Sequence, residues 1–229
     1  MDKEFEENGY KLIDLNLGYE DLIVKTFEEC IKINNIQPEP VGVVSIPPID
    51  IGMEFLSSIV HREYLTSIIE KETDLKLIPT YCLVRKYFQE SILGSHIDRD
   101  ACEISLTYCI SGPEWEINMG DNTLITKIGN GVIYKGCEIP HGRPKPSSGE
   151  VIQVFNHWVI SDGAKSKNAY DNDEKNKDFY LRGLAQLGER LLYTQDVAGS
   201  SPVTPTTLYG PIVKRNNRSL LSSHSRFDS

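Results

Sequence analysis

The sequence lacks the features that would make it a membrane or secreted protein. No run of residues is apolar over the roughly 20 positions that a membrane-spanning helix needs. Residues 1–7 are acidic and have no apolar stretch of the kind that forms the centre of a signal peptide. We therefore expect a cytoplasmic protein with no membrane partner.

Cysteine pairs at metal-binding spacing are also missing. The five cysteines are an odd number and form no CxxC pair, so neither a disulfide framework nor a zinc knuckle is expected. We expect buried free thiols in a reducing compartment. The cysteines are Cys30, Cys82, Cys102, Cys109 and Cys137.

Positive charge is scarce, and its distribution is uneven. The chain carries 24 Lys and Arg against 33 Asp and Glu, a net charge of −9. Residues 182–229 are mildly basic, so the preceding part is more acidic than the whole. A nucleic acid bound through its phosphates is therefore not expected, which leaves a protein or small-molecule substrate as the partner. The sequence does not indicate an oligomeric state.

Two segments in the first third of the chain have apolar residues at helical spacing. Residues 19–34 and 52–72 both predict amphipathic helices, and the first opens with acidic residues that favour a helix N-terminus. Residues 41–48 are apolar and end in two prolines, which predicts a short strand or extended stretch.

The residue composition and the length of the apolar segments change after Pro79. Short segments rich in β-branched and aromatic residues alternate with Gly, Pro, Asn and Asp, and no helix-length segment separates them. Helices followed by strands predict a mainly β (α+β) protein, a jelly roll flanked by N-terminal helices, and disfavour a parallel sheet. The predicted strands are 81–88, 103–110, 123–128, 132–134 and 151–160.

The C-terminal part predicts three regions. The folded domain is expected over 1–160, a polar linker over 161–182 and a disordered tail over 183–229. Residues 183–205 resemble a translated tRNA gene, with a D-arm-like and a T-arm-like segment in order. An amphipathic helix over 184–192 before a polar tail is the other interpretation, and no catalytic residue is expected there.

One constellation carries chemistry: His96 and Asp98, followed 43 positions later by His141. Two imidazoles and one carboxylate hold Fe(II) by one face and leave the other positions open. Residues i and i+2 of an extended segment point the same way, so His96 and Asp98 can bind one ion. Taken alone, the HxD triplet is better explained by a solvated turn, and His141 by a loop histidine beside Pro140.

Around these residues the chain resembles the 2-oxoglutarate/Fe(II)-dependent dioxygenases, in their prolyl 4-hydroxylase-like branch. The resemblance covers about residues 79–159 and rests on HxD, the segments 102–105 and 134–138, the distal His141 and the closing strand 153–159. It implies a double-stranded β-helix with His96, Asp98 and His141 as ligands of Fe(II). It also implies a hydroxylase that couples decarboxylation of 2-oxoglutarate, with O₂, to C–H oxidation.

The anchor for the distal carboxylate of 2-oxoglutarate departs from the family pattern. In prolyl hydroxylases a basic residue begins the last core strand, where this chain has Gly149 or Glu150. Arg143 is the first candidate, because a guanidinium can grip a carboxylate through two hydrogen bonds. The other candidates are Lys145, Arg85 and, as hydroxyl donors, Tyr87 and Tyr108.

Two other functions remain open on the sequence. A cupin-like or lectin-like jelly roll could hold a structural metal or none, without turnover of 2-oxoglutarate. A cupin-type metalloenzyme that needs no 2-oxo acid is the second. His157 lies within an apolar strand and is interpreted as a structural histidine, and Trp115 as a core residue.

Overall fold

The computed structural model describes residues 3–52 and 62–172. Within these ranges none of the helices combines the length and the apolar character needed to cross a bilayer. Helix α2 begins with two acidic residues and ends where Asn35 turns into the left-handed region, with φ of 47°. The helices are α1 (Lys3–Asn8), α2 (Glu20–Asn34) and α3 (Arg62–Thr73).

In the described residues, ten strands form two antiparallel sheets. One sheet has six strands in the order β1-β8-β5-β10-β3-β2, and the other has four in the order β4-β9-β6-β7. This is the predicted mainly β jelly roll. The strands are β1 (Tyr10–Asp14), β2 (Ile49–Gly52), β3 (Leu77–Tyr87), β4 (Leu93–His96), β5 (Ile104–Ser111), β6 (Trp115–Met119), β7 (Asn122–Thr126), β8 (Asn130–Tyr134), β9 (His141–Arg143) and β10 (Val151–Ile160).

The larger sheet separates an apolar core from the interior of the jelly roll. Because side chains alternate across a strand, Leu106 and Tyr108 of β5 face the helices. They pack in one cluster with Phe27 of α2 and Leu65 of α3. Thr107, between them in sequence, lines a cavity on the other face. The helices therefore support the sheet from outside and leave its inner face free for a site.

Several predicted elements agree with the structure, and others differ. Helix 19–34 and strand 151–160 are present at nearly the expected bounds, whereas of helix 52–72 only the part from Arg62 is described. In the short strand or extended stretch expected over 41–48, the structure has a single bridge between Val44 and Leu93, and β2 begins after the prolines. Strand β1 was not predicted, because a short edge strand after a six-residue helix has little periodicity.

The start of the predicted linker contacts the sheets. Residues Ser166–Asn172 form 3₁₀ turns against β3 and β10, and Asp171 accepts a 2.7 Å hydrogen bond from Arg99. The rest of the linker and the tail with its tRNA-like segment lie outside the described residues. The domain boundaries stay predictions.

Candidate active site

Strand pairing brings the three predicted metal ligands together. His96 is the last residue of β4 and His141 the first of β9, and the antiparallel register sets them opposite each other. Asp98 Oδ1 lies 3.7 Å from His96 Nε2 and 3.5 Å from His141 Nε2. Two segments separated by 43 positions therefore place two nitrogens and one oxygen around one point.

Backbone carbonyls set the orientation of both imidazoles. His96 Nδ1 donates to the carbonyl of Gly94 and His141 Nδ1 to that of Ile139, each over 2.9 Å. In a neutral imidazole that donates from Nδ1, the lone pair is on Nε2. The lone pairs of both Nε2 atoms then face Asp98 Oδ1. A cation placed between these three atoms would be bound by all of them.

The electrostatics of the site also fit a divalent cation. Burial and the charge of His141 lower the pKa of His96, so its ring is neutral at pH 7 and able to bind a metal. Burial opposes ionisation of Asp98, but the surrounding imidazoles lower its pKa overall. Two imidazoles and one carboxylate, open on one side, match the donor set of non-haem Fe(II) oxygenases.

A second layer of polar groups lies behind Asp98. Ser105 Oγ donates to Asp98 Oδ2 over 3.1 Å and lies 2.9 Å from His157 Nδ1. Burial lowers the pKa of His157 to about 4, so the ring is neutral. The predicted structural histidine is thus a hydrogen-bonded part of the site.

Asp98, Cys102 and His157 also have ligand atoms within 4.8 Å of one another. Burial raises the pKa of Cys102, so this residue remains a thiol, and its Sγ shares a 3.1 Å hydrogen bond with the Tyr81 hydroxyl. His157 Nδ1 is already hydrogen-bonded to Ser105. We interpret this group as support for Asp98. All five cysteines are free thiols.

The ligands open into a cavity of about 190 Å³ between the two sheets. Arg143 lines this cavity, is buried and has a pKa that burial lowers to about 10, so it is charged at pH 7. Its hydrogen-bond acceptors are the carbonyls of Trp115 and Glu116, Thr126 Oγ1 and Gln153 Oε1. None of the ion pairs between described residues includes Arg143. A buried cation without an anion is costly, so the arrangement suits a carboxylate ligand.

Two further predicted residues line the same cavity. Tyr87 is buried, and its hydroxyl has no hydrogen-bond partner within the described residues. Arg85 also lines the cavity, but its guanidinium is bound by both oxygens of Asp50, at 2.7 and 2.6 Å. Arg143 is therefore the better carboxylate anchor of the two arginines.

Two predicted co-substrate residues lie elsewhere. Tyr108 faces the helices, where its hydroxyl donates to Glu20, because neighbouring residues of β5 point to opposite sides. Lys145 is exposed and pairs with Glu116 at 2.8 Å. Neither lines the cavity, so the assignment of both residues to the co-substrate site is corrected.

Sequence reasoning assigned no role to three polar residues that support the site. Gln153 accepts hydrogen bonds from Arg143 Nη2, over 3.0 Å, and from Thr107, while Ser105 holds Asp98. Their strands read as ordinary apolar segments. Polar residues at alternate positions within them were the only signal.

No family model and no curated protein matches this sequence. Among solved structures, a prolyl-4-hydroxylase from Pseudomonas putida matches with a TM-score of 0.53 at 13% identity, over 69% of this chain and 95% of its own. A 2OG-Fe(II) oxygenase family oxidoreductase from Burkholderia pseudomallei matches at 0.53 and 12%, over 71% and 89%. SnoN, a non-heme alpha ketoglutarate dependent epimerase of nogalamycin biosynthesis, matches at 0.54 and 8%, over 69% and 80%. The chain therefore has the jelly-roll fold of solved 2-oxoglutarate/Fe(II) oxygenases.

Proposed function

We propose that the protein is a non-haem Fe(II)/2-oxoglutarate-dependent oxygenase that hydroxylates its substrate. The observation that carries the proposal is that a candidate metal site and a candidate carboxylate-binding site share one cavity. His96, Asp98 and His141 converge at one point of it, and the buried Arg143 lines it without an anionic partner. A metal site alone would not need a buried guanidinium.

Each residue has a defined role in this proposal. His96, Asp98 and His141 would hold Fe(II) by one face. When bound, iron and 2-oxoglutarate supply the oxidation of a C–H bond by O₂, coupled to decarboxylation of the 2-oxo acid. The chain itself provides the orientation of its ligands through the carbonyls of Gly94 and Ile139.

Arg143 would bind the distal carboxylate of 2-oxoglutarate. Its position is fixed by acceptors on three strands and by the Trp115 ring, whose centroid lies 4.6 Å from the guanidinium carbon. The Tyr87 hydroxyl, which has no partner within the described part of the chain, is a second donor for the same carboxylate. Because both groups are buried, a carboxylate there would be shielded from water, which strengthens its bonds.

The part of the substrate that enters the cavity should be apolar. The remaining walls include half-buried Val41, Val43, Leu83 and Phe155. A cavity of about 190 Å³ is smaller than the roughly 300–1,000 Å³ of typical ligand pockets, so most of a protein or small-molecule substrate would stay outside. With the 2-oxoglutarate carboxylate on Arg143 and Asp50 on Arg85, a charged substrate group would lose its hydration without a free counter-ion among the described arginines of the cavity.

The test is conversion of 2-oxoglutarate to succinate with Fe(II) and O₂, without added substrate. We expect slow turnover by the wild type, its abolition in His96→Ala and Asp98→Ala, and its retention in Asp121→Ala, which alters an exposed turn aspartate. Equal turnover in all four proteins would reject the site. Metal binding without turnover in the wild type would instead favour a cupin-like or lectin-like protein.

A further inference from the structure

Asp98 uses its two carboxylate oxygens differently. Oδ1 faces the imidazoles of His96 and His141, whereas Oδ2 accepts a hydrogen bond from Ser105 Oγ over 3.1 Å. Ser105 lies on β5 directly opposite His157 on β10, and the two side chains are 2.9 Å apart. The carboxylate is therefore held on the side away from the ligand nitrogens.

The chemistry of the groups fixes the direction of these hydrogen bonds. A hydroxyl has one proton, and an ionised carboxylate can only accept. Ser105 Oγ also lies 3.3 Å from the carbonyl of Cys102, but the Asp98 carboxylate is nearer and charged, so Ser105 donates to Asp98. The bond to His157 then requires His157 Nδ1 to donate to Ser105 Oγ. The series of hydrogen bonds runs from His157 through Ser105 to Asp98 Oδ2. Asp98 Oδ1 is not part of this series.

Asp98 Oδ2 and Ser105 Oγ both lie close to the backbone of Gly136. Ser105 is fully buried, and a Cβ on Gly136 would lie 2.6 Å from Asp98 Oδ2 and 2.8 Å from Ser105 Oγ. The carbonyl of Gly136 also accepts from the backbone N–H of Asp98 over 2.8 Å. The carboxylate is thus fixed by side chain and backbone together.

We propose that Ser105, oriented by His157, is a positioning residue that keeps Asp98 a one-oxygen metal ligand. The inference rests on the proposed function. Without the hydroxyl, Oδ2 would lose its partner and turn toward the metal, because a buried carboxylate oxygen needs a donor or a cation. The second oxygen would then occupy a position needed by 2-oxoglutarate or O₂.

The test uses Mn(II), which binds oxygen and nitrogen ligands and can be followed without turnover. Water proton relaxation gives the number of waters on Mn(II), and titrations give the affinities for Mn(II) and then for 2-oxoglutarate. The variants are Ser105→Ala, Ser105→Thr, which keeps the hydroxyl, and His157→Asn, which keeps a donor near Nδ1. Ser67→Ala, at an exposed serine of α3, is the matched control.

We expect Ser105→Ala to bind Mn(II) at least as tightly as the wild type but with one water fewer. Its affinity for 2-oxoglutarate should fall by about 10-fold or more, as for other residues that support metal ligands. Ser105→Thr and His157→Asn should stay closer to the wild type, and Ser67→Ala should equal it.

An unchanged water count in Ser105→Ala would overturn the proposal. So would equal losses in Ser105→Ala and Ser105→Thr, which would indicate packing and not the hydroxyl. Failure of 2-oxoglutarate to bind the wild-type Mn(II) protein would contradict the proposed function instead. The water count would still test the role of Ser105.

Discussion

Arg143 Nη2 donates to Gln153 Oε1 over 3.0 Å, and the other side-chain partner of this buried guanidinium, Thr126 Oγ1, is also neutral. The nearby Arg85 is instead neutralised by both oxygens of Asp50. The cavity thus keeps one positive charge available to an anion, and this asymmetry distinguishes the two arginines as co-substrate anchors.

Replacing Arg143 with Gln should raise the 2-oxoglutarate concentration needed for half-maximal succinate formation by about 10- to 100-fold. A hydrogen bond to a charged group contributes about 1.5–3 kcal/mol, which corresponds to this range. Mn(II) affinity should be unchanged. Lys145→Gln removes an exposed cation two positions away, and the same effect in that variant would count against Arg143.

Tyr87→Phe should change stability and co-substrate binding in opposite directions. The Tyr87 hydroxyl is buried without a partner in the described ranges, so its removal should leave the urea-unfolding free energy of the metal-free protein unchanged or higher. Affinity for 2-oxoglutarate should fall by about 10-fold or more, because the hydroxyl would donate to a charged carboxylate. Loss of stability with unchanged affinity would show that the hydroxyl serves the fold alone.

Gly136→Ala should abolish metal binding. The added Cβ would lie 2.6 Å from Asp98 Oδ2, with the Cys102 carbonyl also in contact, so the carboxylate must move. Gly42→Ala is the matched control, because a Cβ there meets nothing within 4 Å. Calorimetric titration with Mn(II) measures the difference, and wild-type affinity in Gly136→Ala would contradict the packing described.

The metal-free protein should lose stability in mild acid through His157. Burial lowers the pKa of His157 to about 4, whereas an unfolded histidine titrates near 6.5. Between these values only the unfolded chain takes up the proton, so the free energy of unfolding falls as the pH drops from about 6.5 toward 4. The His157 contribution at pH 4.5 is about 2 kcal/mol.

His157→Asn has no such proton and isolates this contribution. Urea unfolding of both metal-free proteins at pH 7 and 4.5 should show the wild type losing about 2 kcal/mol more than the variant. Parallel losses would mean that His157 is protonated in the folded state.

The sequence was most informative where local pattern and chemistry coincide. The amphipathic spacing of residues 19–34 predicted α2, and the mostly apolar segment 151–160 predicted β10, since a strand buried on both faces is rich in apolar residues. The HxD triplet and His141 could be paired because few ligand sets suit Fe(II).

Other features depend on contacts that a single sequence does not encode locally. The burial of Arg143 depends on the approach of β6, β7 and β10, and the outward direction of Tyr108 depends on the register of β5. Arginine and tyrosine can both donate hydrogen bonds to a carboxylate, so the sequence suggested both Arg143 and Tyr108 as co-substrate residues. Only the strand pairing in the sheets shows that Arg143 lines the cavity and that Tyr108 does not.

The most direct test of the central claim is an anaerobic titration of the wild-type protein with Fe(II) and 2-oxoglutarate, followed by visible absorption. If His96, Asp98 and His141 hold iron with positions open beside Arg143, a weak charge-transfer band should appear only when metal and 2-oxo acid are both present. The band should be lost in His96→Ala. Its absence from the wild type at saturating Fe(II) would contradict the account.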